Sequence, residues 1–126
     1  MKSILLLPKP PSVNGLFATG RHGKRYRSQK YEDWIHAAGV EIMRQRPNKI
    51  AGQVSLLYEF AEPKDKRKHD LGNLEKATTD LLVAHGIIQA DDNSIVREIR
   101  LMWADDIAGV LITVSALVRS ENAEAA

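Results

Sequence analysis

The sequence predicts an α+β fold: a sheet of about four strands, mixed or antiparallel, with two helices on one face. Three observations carry this reading. Apolar and polar residues alternate over 53–60 and 110–117, apolar residues recur at three- and four-residue steps over 28–45 and 71–85, and prolines and glycines separate these segments. At 126 residues the chain suits one domain of ordinary size, read as residues 1–119, with a tail at 120–126 that has no apolar face and is expected to be disordered. A composition of 44% apolar and 27% charged residues excludes the fibrous and disordered classes.

The run Ile4, Leu5, Leu6, Leu7 is too short for an export signal or a membrane span and reads as a first strand. Pro8, Pro10 and Pro11 then remove donors and fix the backbone, so a rigid loop follows. Residues 15–29, with Gly20 and Gly23, continue as a polar, basic connection, long enough to suggest that it binds something.

Over 28–45, Tyr31, Trp34, Ile35, Ala38 and Ile42 mark the buried face of a first helix. Ser28 is its expected N-cap, Arg44 and Arg46 suit the negative end of its dipole, and Pro47 closes it. In 53–60, Val54, Leu56, Tyr58 and Phe60 face one way and Ser55 and Glu59 the other, the period of a half-buried strand. Leu71, Leu74, Thr78, Leu81 and Leu82 share a face of a second helix that Gly86 ends. A turn at 89–94 leads to a strand over 95–102. Residues 105–109 then read as the hairpin loop into a last strand, where Val110, Ile112, Val114 and Ala116 alternate.

Net charge is only +2, but its distribution is uneven. Residues 1–30 carry Lys2, Lys9, Arg21, Lys24, Arg25, Arg27 and Lys30 without one acid, and a second basic run spans 64–69. Such patches either attract polyanions, nucleic acid first, or form an ordinary solvated surface. The chain has no cysteine, which fits a reducing interior and leaves only oxygen or imidazole ligands for a metal. His22, His36, His69 and His85 lack the spacing of a zinc-binding helix and read as structural or surface residues.

The chemistry concentrates in residues 64–92, where Lys66, Arg67 and Lys68 run into Asp70 at a helix start, followed by Lys76 and then by Asp91 and Asp92. Phosphodiester cleavage needs carboxylates to hold a hard cation, a metal-bound water, and cations that steady the phosphate. Each residue also has an ordinary use. Asp70 is either a ligand or the cap of its helix. Lys76 either clamps a phosphate or pairs with Asp80 four residues on. Asp91 and Asp92 are either ligands or turn residues. His69 either touches phosphate or belongs to the solvated basic run.

The order of these residues resembles the RusA family of Holliday-junction resolvases. Pro10, Pro11, Ser12 and Asn14 are similar to that family's Pro-Pro-Ser-x-Asn loop, and residues 21–28 to the basic segment after it. Asp70, Asn73 and Lys76 resemble its Asp-x-Asp-Asn-x-x-Lys, and Gly86 followed by Asp91 and Asp92 resembles its Gly-x-x turn and paired aspartates. The match covers most of the chain. It implies a homodimeric, Mg²⁺-dependent endonuclease, with Mn²⁺ as substitute, that nicks two opposed strands of four-way DNA junctions in recombination and repair. Such an enzyme would be cytoplasmic and bacterial or phage-encoded.

Carried over residue by residue, the resemblance makes Asp70 and Asp92 metal-binding carboxylates, with Asp91 the second choice for the later one, and Lys76 the catalytic lysine. With the basic segments it assigns DNA contact to Asn14, Arg21, Lys24, Arg25, Arg27, Lys66, Arg67, Lys68 and Asn73. Gly72 departs from the pattern, standing where the family has its second aspartate. That removes one charge and one oxygen ligand from a cation that prefers six, so the expectation is junction binding with impaired cutting. A non-cleaving junction-binding protein is the alternative. A hydrolase of other phosphate esters ranks third, because the basic N-terminal third exceeds what it needs.

Overall fold

The computed structural model describes residues 1–117; the expected tail lies outside the described residues. Six strands and two α-helices are present among them: β1 (Lys2–Leu7), β2 (Phe17–Thr19), β3 (Arg25–Arg27), α1 (Gln29–Gln45), β4 (Val54–Ala61), α2 (Glu75–Ala84), β5 (Val96–Ala104) and β6 (Val110–Ala116). Four form a mixed sheet in the order β1-β6-β4-β5, antiparallel except for the β4/β5 pair. The α+β class, the four-stranded sheet and the two helices are as the sequence predicts.

Local chemistry explains most boundaries. Ser28 caps α1 by accepting from the Tyr31 amide at 3.1 Å, and Arg46, in a left-handed conformation at φ 51°, ends it one residue before Pro47. Tyr31, Trp34, Ala38 and Ile42 are buried, with Ile35 half-buried beside them. The inward residues of β4, Val54, Leu56, Tyr58 and Phe60, are fully buried, and they share one core with Leu5, Leu7, Val110, Ile112, Leu81 and Leu82. Gly86 terminates the α2 region at φ +69°.

Two expectations are corrected. The loop at 105–109 is not a hairpin turn, because β4 stands between β5 and β6. Parallel pairing needs a long crossover, and residues 62–95, including α2, supply one that returns β5 alongside β4. The 105–109 loop therefore passes around the end of β4, where the Ala61 amide donates to the Gly109 carbonyl and the Glu62 amide to the Ala104 carbonyl, both at 2.9 Å. β4 takes the interior because its whole inward face is apolar, whereas β5, with Arg97, Glu98 and Arg100 exposed, tolerates the edge.

The second correction concerns 15–29, which holds the β2/β3 hairpin rather than a plain connection. Three-residue strands are too short for an alternation to register. Tertiary contacts hold them instead: Leu16 is buried, its carbonyl accepts from the Ser28 amide at 2.9 Å, and Phe17 packs edge-on against Tyr31 at 5.9 Å. A smaller difference lies at the second helix, whose first turn is a 3-10 turn, Leu71–Leu74, ahead of α2.

Candidate active site

An open cleft of about 840 Å³ lies where the N-terminal loop meets the start of the second helix; Asn14, Arg67, Lys68, Asp70, Asn73 and Trp103 are among its walls. The prolines of the N-terminal loop deliver Asn14 on the short 3-10 turn Val13–Gly15. The segment after β4 delivers Arg67 and Lys68, the 3-10 turn Leu71–Leu74 delivers Asn73, and the end of β5 delivers Trp103. The N-terminal loop and segments more than fifty residues further along the chain thus converge on one hollow whose polar lining combines cations, side-chain amides and the Asp70 carboxylate.

Asp70 is the cap of the 3-10 turn: its Oδ1 accepts from the Gly72 amide at 3.2 Å. The cap reading of Asp70 therefore holds, and among the described residues the other carboxylate oxygen, Oδ2, keeps no such bond. A Cβ built on Gly72 would meet only Asp70 Oδ1, at 3.7 Å. The backbone there has room for a side chain, so sterics do not require glycine.

Lys76 points across to the 89–94 turn. Its Nζ lies 3.1 Å from Asp80 Oδ1, the helical pair expected from the spacing, and 3.9 Å from Asp91 Oδ2. The hydrogen bond to Asp80, more than the charge of Asp91, holds the ammonium pKa above its ordinary value. Asp92 faces its own turn. Its Oδ1 accepts from the Ser94 amide at 2.9 Å and from the Ser94 hydroxyl, and these bonds hold its carboxyl below the usual carboxylate range.

Among the described residues, no three His, Asp or Glu side chains come together as a group able to hold a metal ion. Asp70 and Asp92 each have one oxygen fixed by a backbone amide, but a hard cation wants more oxygen ligands than such a pair brings. As it stands, the donor set does not fit a complete divalent-metal site.

Of the remaining sequence-derived residues, Arg21, Lys24, Arg25 and Arg27 lie on or beside the β2/β3 hairpin and do not line the cleft, and neither does Lys66. Part of their charge is spoken for: the Arg25 guanidinium sits 4.2 Å over the Phe17 ring, and Arg27 approaches Glu32 at 3.7 Å. His69 is less free than a solvated basic residue, since its Nε2 lies 2.9 Å from Asp65 Oδ1. That contact leads the causes that lower the Asp65 pKa.

Two features were missed. Trp103 lines the cleft although the expected strand ended at Met102; carrying the alternation one two-residue step past Leu101 would have put it on the inward side. A hydrogen-bonded chain also joins α2 to β4: Thr79 donates to Glu75, and the buried Tyr58 hydroxyl lies 2.8 Å from Thr79 Oγ1. Since Thr79 has one hydroxyl proton and gives it to Glu75, Tyr58 must donate to Thr79. Burial raises the Tyr58 pKa well above its ordinary value and keeps that proton in place. Nothing in helical periodicity announces such a chain, because its three members come from two elements.

A family model described as Endodeoxyribonuclease RusA matches residues 8–115 of this chain. No curated protein matches it.

Proposed function

The chain belongs to the RusA endodeoxyribonuclease family, and from that premise we propose that it recognises four-way DNA junctions through the 840 Å³ cleft, with a cleavage centre left incomplete at Gly72. The observation that carries this reading is the convergence of Asn14, Arg67, Lys68 and Asn73 on Asp70. Arg67 and Lys68 neutralise a backbone phosphate, and the side-chain amides of Asn14 and Asn73 hydrogen-bond its oxygens or the adjoining sugar. Arg21, Lys24, Arg25 and Arg27 on the hairpin, together with Lys66, hold a more distant stretch of the same DNA. A homodimer would present two equivalent clefts to the two opposed strands of a junction.

In this reading Asp70 and Asp92 are the carboxylates of the cleavage centre, with Asp91 beside Lys76 as the second candidate. Lys76 is the cation nearest the paired aspartates. Family membership carries the expectation of Mg²⁺, or Mn²⁺ in its place, but the carboxylates present fall short of its needs. The chain accordingly binds junctions and cuts them poorly. Gly72 favours the second reading, a protein that works by occupying the junction without cutting, and the same experiment separates the two.

That experiment compares this chain with Gly72→Asp in junction cleavage and gel-shift assays, in Mg²⁺ and in Mn²⁺. Cutting that appears only with Gly72→Asp, at unchanged binding, supports the impaired resolvase. Efficient Mg²⁺-dependent cutting by the unaltered chain refutes the impairment. Binding of four-way DNA no tighter than duplex refutes the assignment.

A further inference from the structure

We infer that Trp103 is a stacking platform for an unpaired, unstacked nucleobase, so that the cleft takes a single nucleotide with its phosphate on Arg67 and Lys68 and its base on the indole. This rests on the DNA-binding reading above and specifies what part of the DNA the cleft selects.

The chain has two tryptophans, and they differ in kind. Trp34 is a finished structural residue: it is 6% exposed, and its indole N–H donates to the Pro8 carbonyl at 2.8 Å. Trp103 is half-buried at the end of an edge strand. One side meets Phe60, at 6.4 Å and 65° between ring planes, which props the indole from within the core. The rest borders two hollows, the main cleft and a smaller one of about 210 Å³, and Arg67 and His69 border both.

The main cleft sets this aromatic surface beside Arg67, Lys68, Asn14 and Asn73, with Asp70 as its carboxylate, while the smaller hollow carries the acids Glu62 and Asp65. The cationic main cleft has the make-up of a nucleotide site, since stacking is sequence-tolerant while cations follow the backbone. In an intact duplex every base is already stacked on both faces and cannot reach the indole. The bases open to it are those at a branch point or in single strands. Trp103 therefore makes the cleft favour disturbed over continuous duplex, which phosphate contacts alone cannot do.

The test uses the full chain with three probes: a four-way junction, a duplex of the same sequence and a single-stranded deoxyoligonucleotide. Tryptophan emission should fall on adding junction or single strand and hold steady with duplex. The fall should vanish in Trp103→Phe, which keeps a ring for stacking, while binding stays close to that of the parent. Trp103→Leu keeps apolar packing on Phe60 but offers no π face, and should bind junction and single strand about tenfold more weakly with duplex affinity unchanged.

Equal weakening toward all three probes in Trp103→Leu, or quenching that persists in Trp103→Phe, overturns the inference. Tighter binding of junction than duplex without Trp103 quenching overturns the inference and leaves the junction assignment standing. Single-strand quenching of Trp103 in a chain that does not prefer junctions supports the inference and overturns that assignment.

Discussion

Lys76 and Asp91 face each other at 3.9 Å, linking the first turn of α2 to the acidic turn that precedes β5. Asp80 holds the same ammonium more closely, at 3.1 Å, so the lysine is aimed by its own helix and only approached by the turn. All three side chains are substantially exposed, and exposed pairs contribute little to stability.

Lys76→Met is therefore expected to change thermal stability by less than about 1 kcal/mol and to leave junction affinity nearly unchanged. In the Gly72→Asp background the same change should lower cutting by a factor of about a hundred or more. Cleavage rates with a melting curve check both halves, and undiminished cutting removes Lys76 from the site.

Asp92 should titrate below the ordinary carboxylate range because the Ser94 hydroxyl and amide stabilise its charged form. A depressed carboxyl contributes stability that is present above its unfolded pKa and is lost as pH falls through the lower folded value. Ser94→Ala should move the Asp92 midpoint up toward the ordinary carboxylate range and narrow that acid-side loss. Carboxyl-carbon NMR titration reads the midpoint; an identical value in both proteins would dismiss the Ser94 hydroxyl as a cause, since the variant keeps the backbone amide.

Gly109 and Gly72 should respond oppositely to added side chains. At Gly109, φ is +80° and a Cβ would come within 2.1 Å of the Leu7 carbonyl oxygen, where β1 meets the 105–109 loop. Gly109→Ala should cost about 2–4 kcal/mol from overpacking and left-handed strain together. Gly72→Ala meets only Asp70 Oδ1 at 3.7 Å and, in a first helical turn, should be neutral or stabilise by up to about 1 kcal/mol. Denaturant unfolding of the two variants decides it, and equal effects would contradict the local packing described above.

The hairpin cations should act through phosphate rather than through shape. Lys24→Ala and Arg21→Ala are expected to weaken binding to junction and duplex alike and to reduce the salt slope of log K by roughly one each. Affinity measured over a salt series tests this, and loss confined to junctions would show that the hairpin reads structure instead.

The Tyr58–Thr79–Glu75 chain should be sensitive to loss of its middle member. Thr79→Val keeps the volume but leaves the buried Tyr58 hydroxyl, 2.8 Å from Thr79 Oγ1, without its acceptor. A loss of about 1–3 kcal/mol is expected, readable by denaturant unfolding, and Tyr58→Phe combined with Thr79→Val should recover much of it.

What the sequence determined by itself is local. The buried stripe of α1, the Ser28 cap, the alternation of β4, the end at Gly86 and the capping use of Asp70 all follow from residues within a few positions of one another. Backbone geometry repeats at that range and therefore leaves a period to read. The ordered motifs from Pro10 to Asp92 likewise pointed to the family that residues 8–115 match. Tertiary structure decided the rest. It put β4 between β5 and β6, turned a basic connection into a hairpin, placed Trp103 on the cleft that Asp70 also lines, and brought Asp91 rather than Asp92 toward Lys76. Strand partners and cleft walls are chosen by which apolar faces must be buried together, a competition among segments far apart in the chain that no local spacing records.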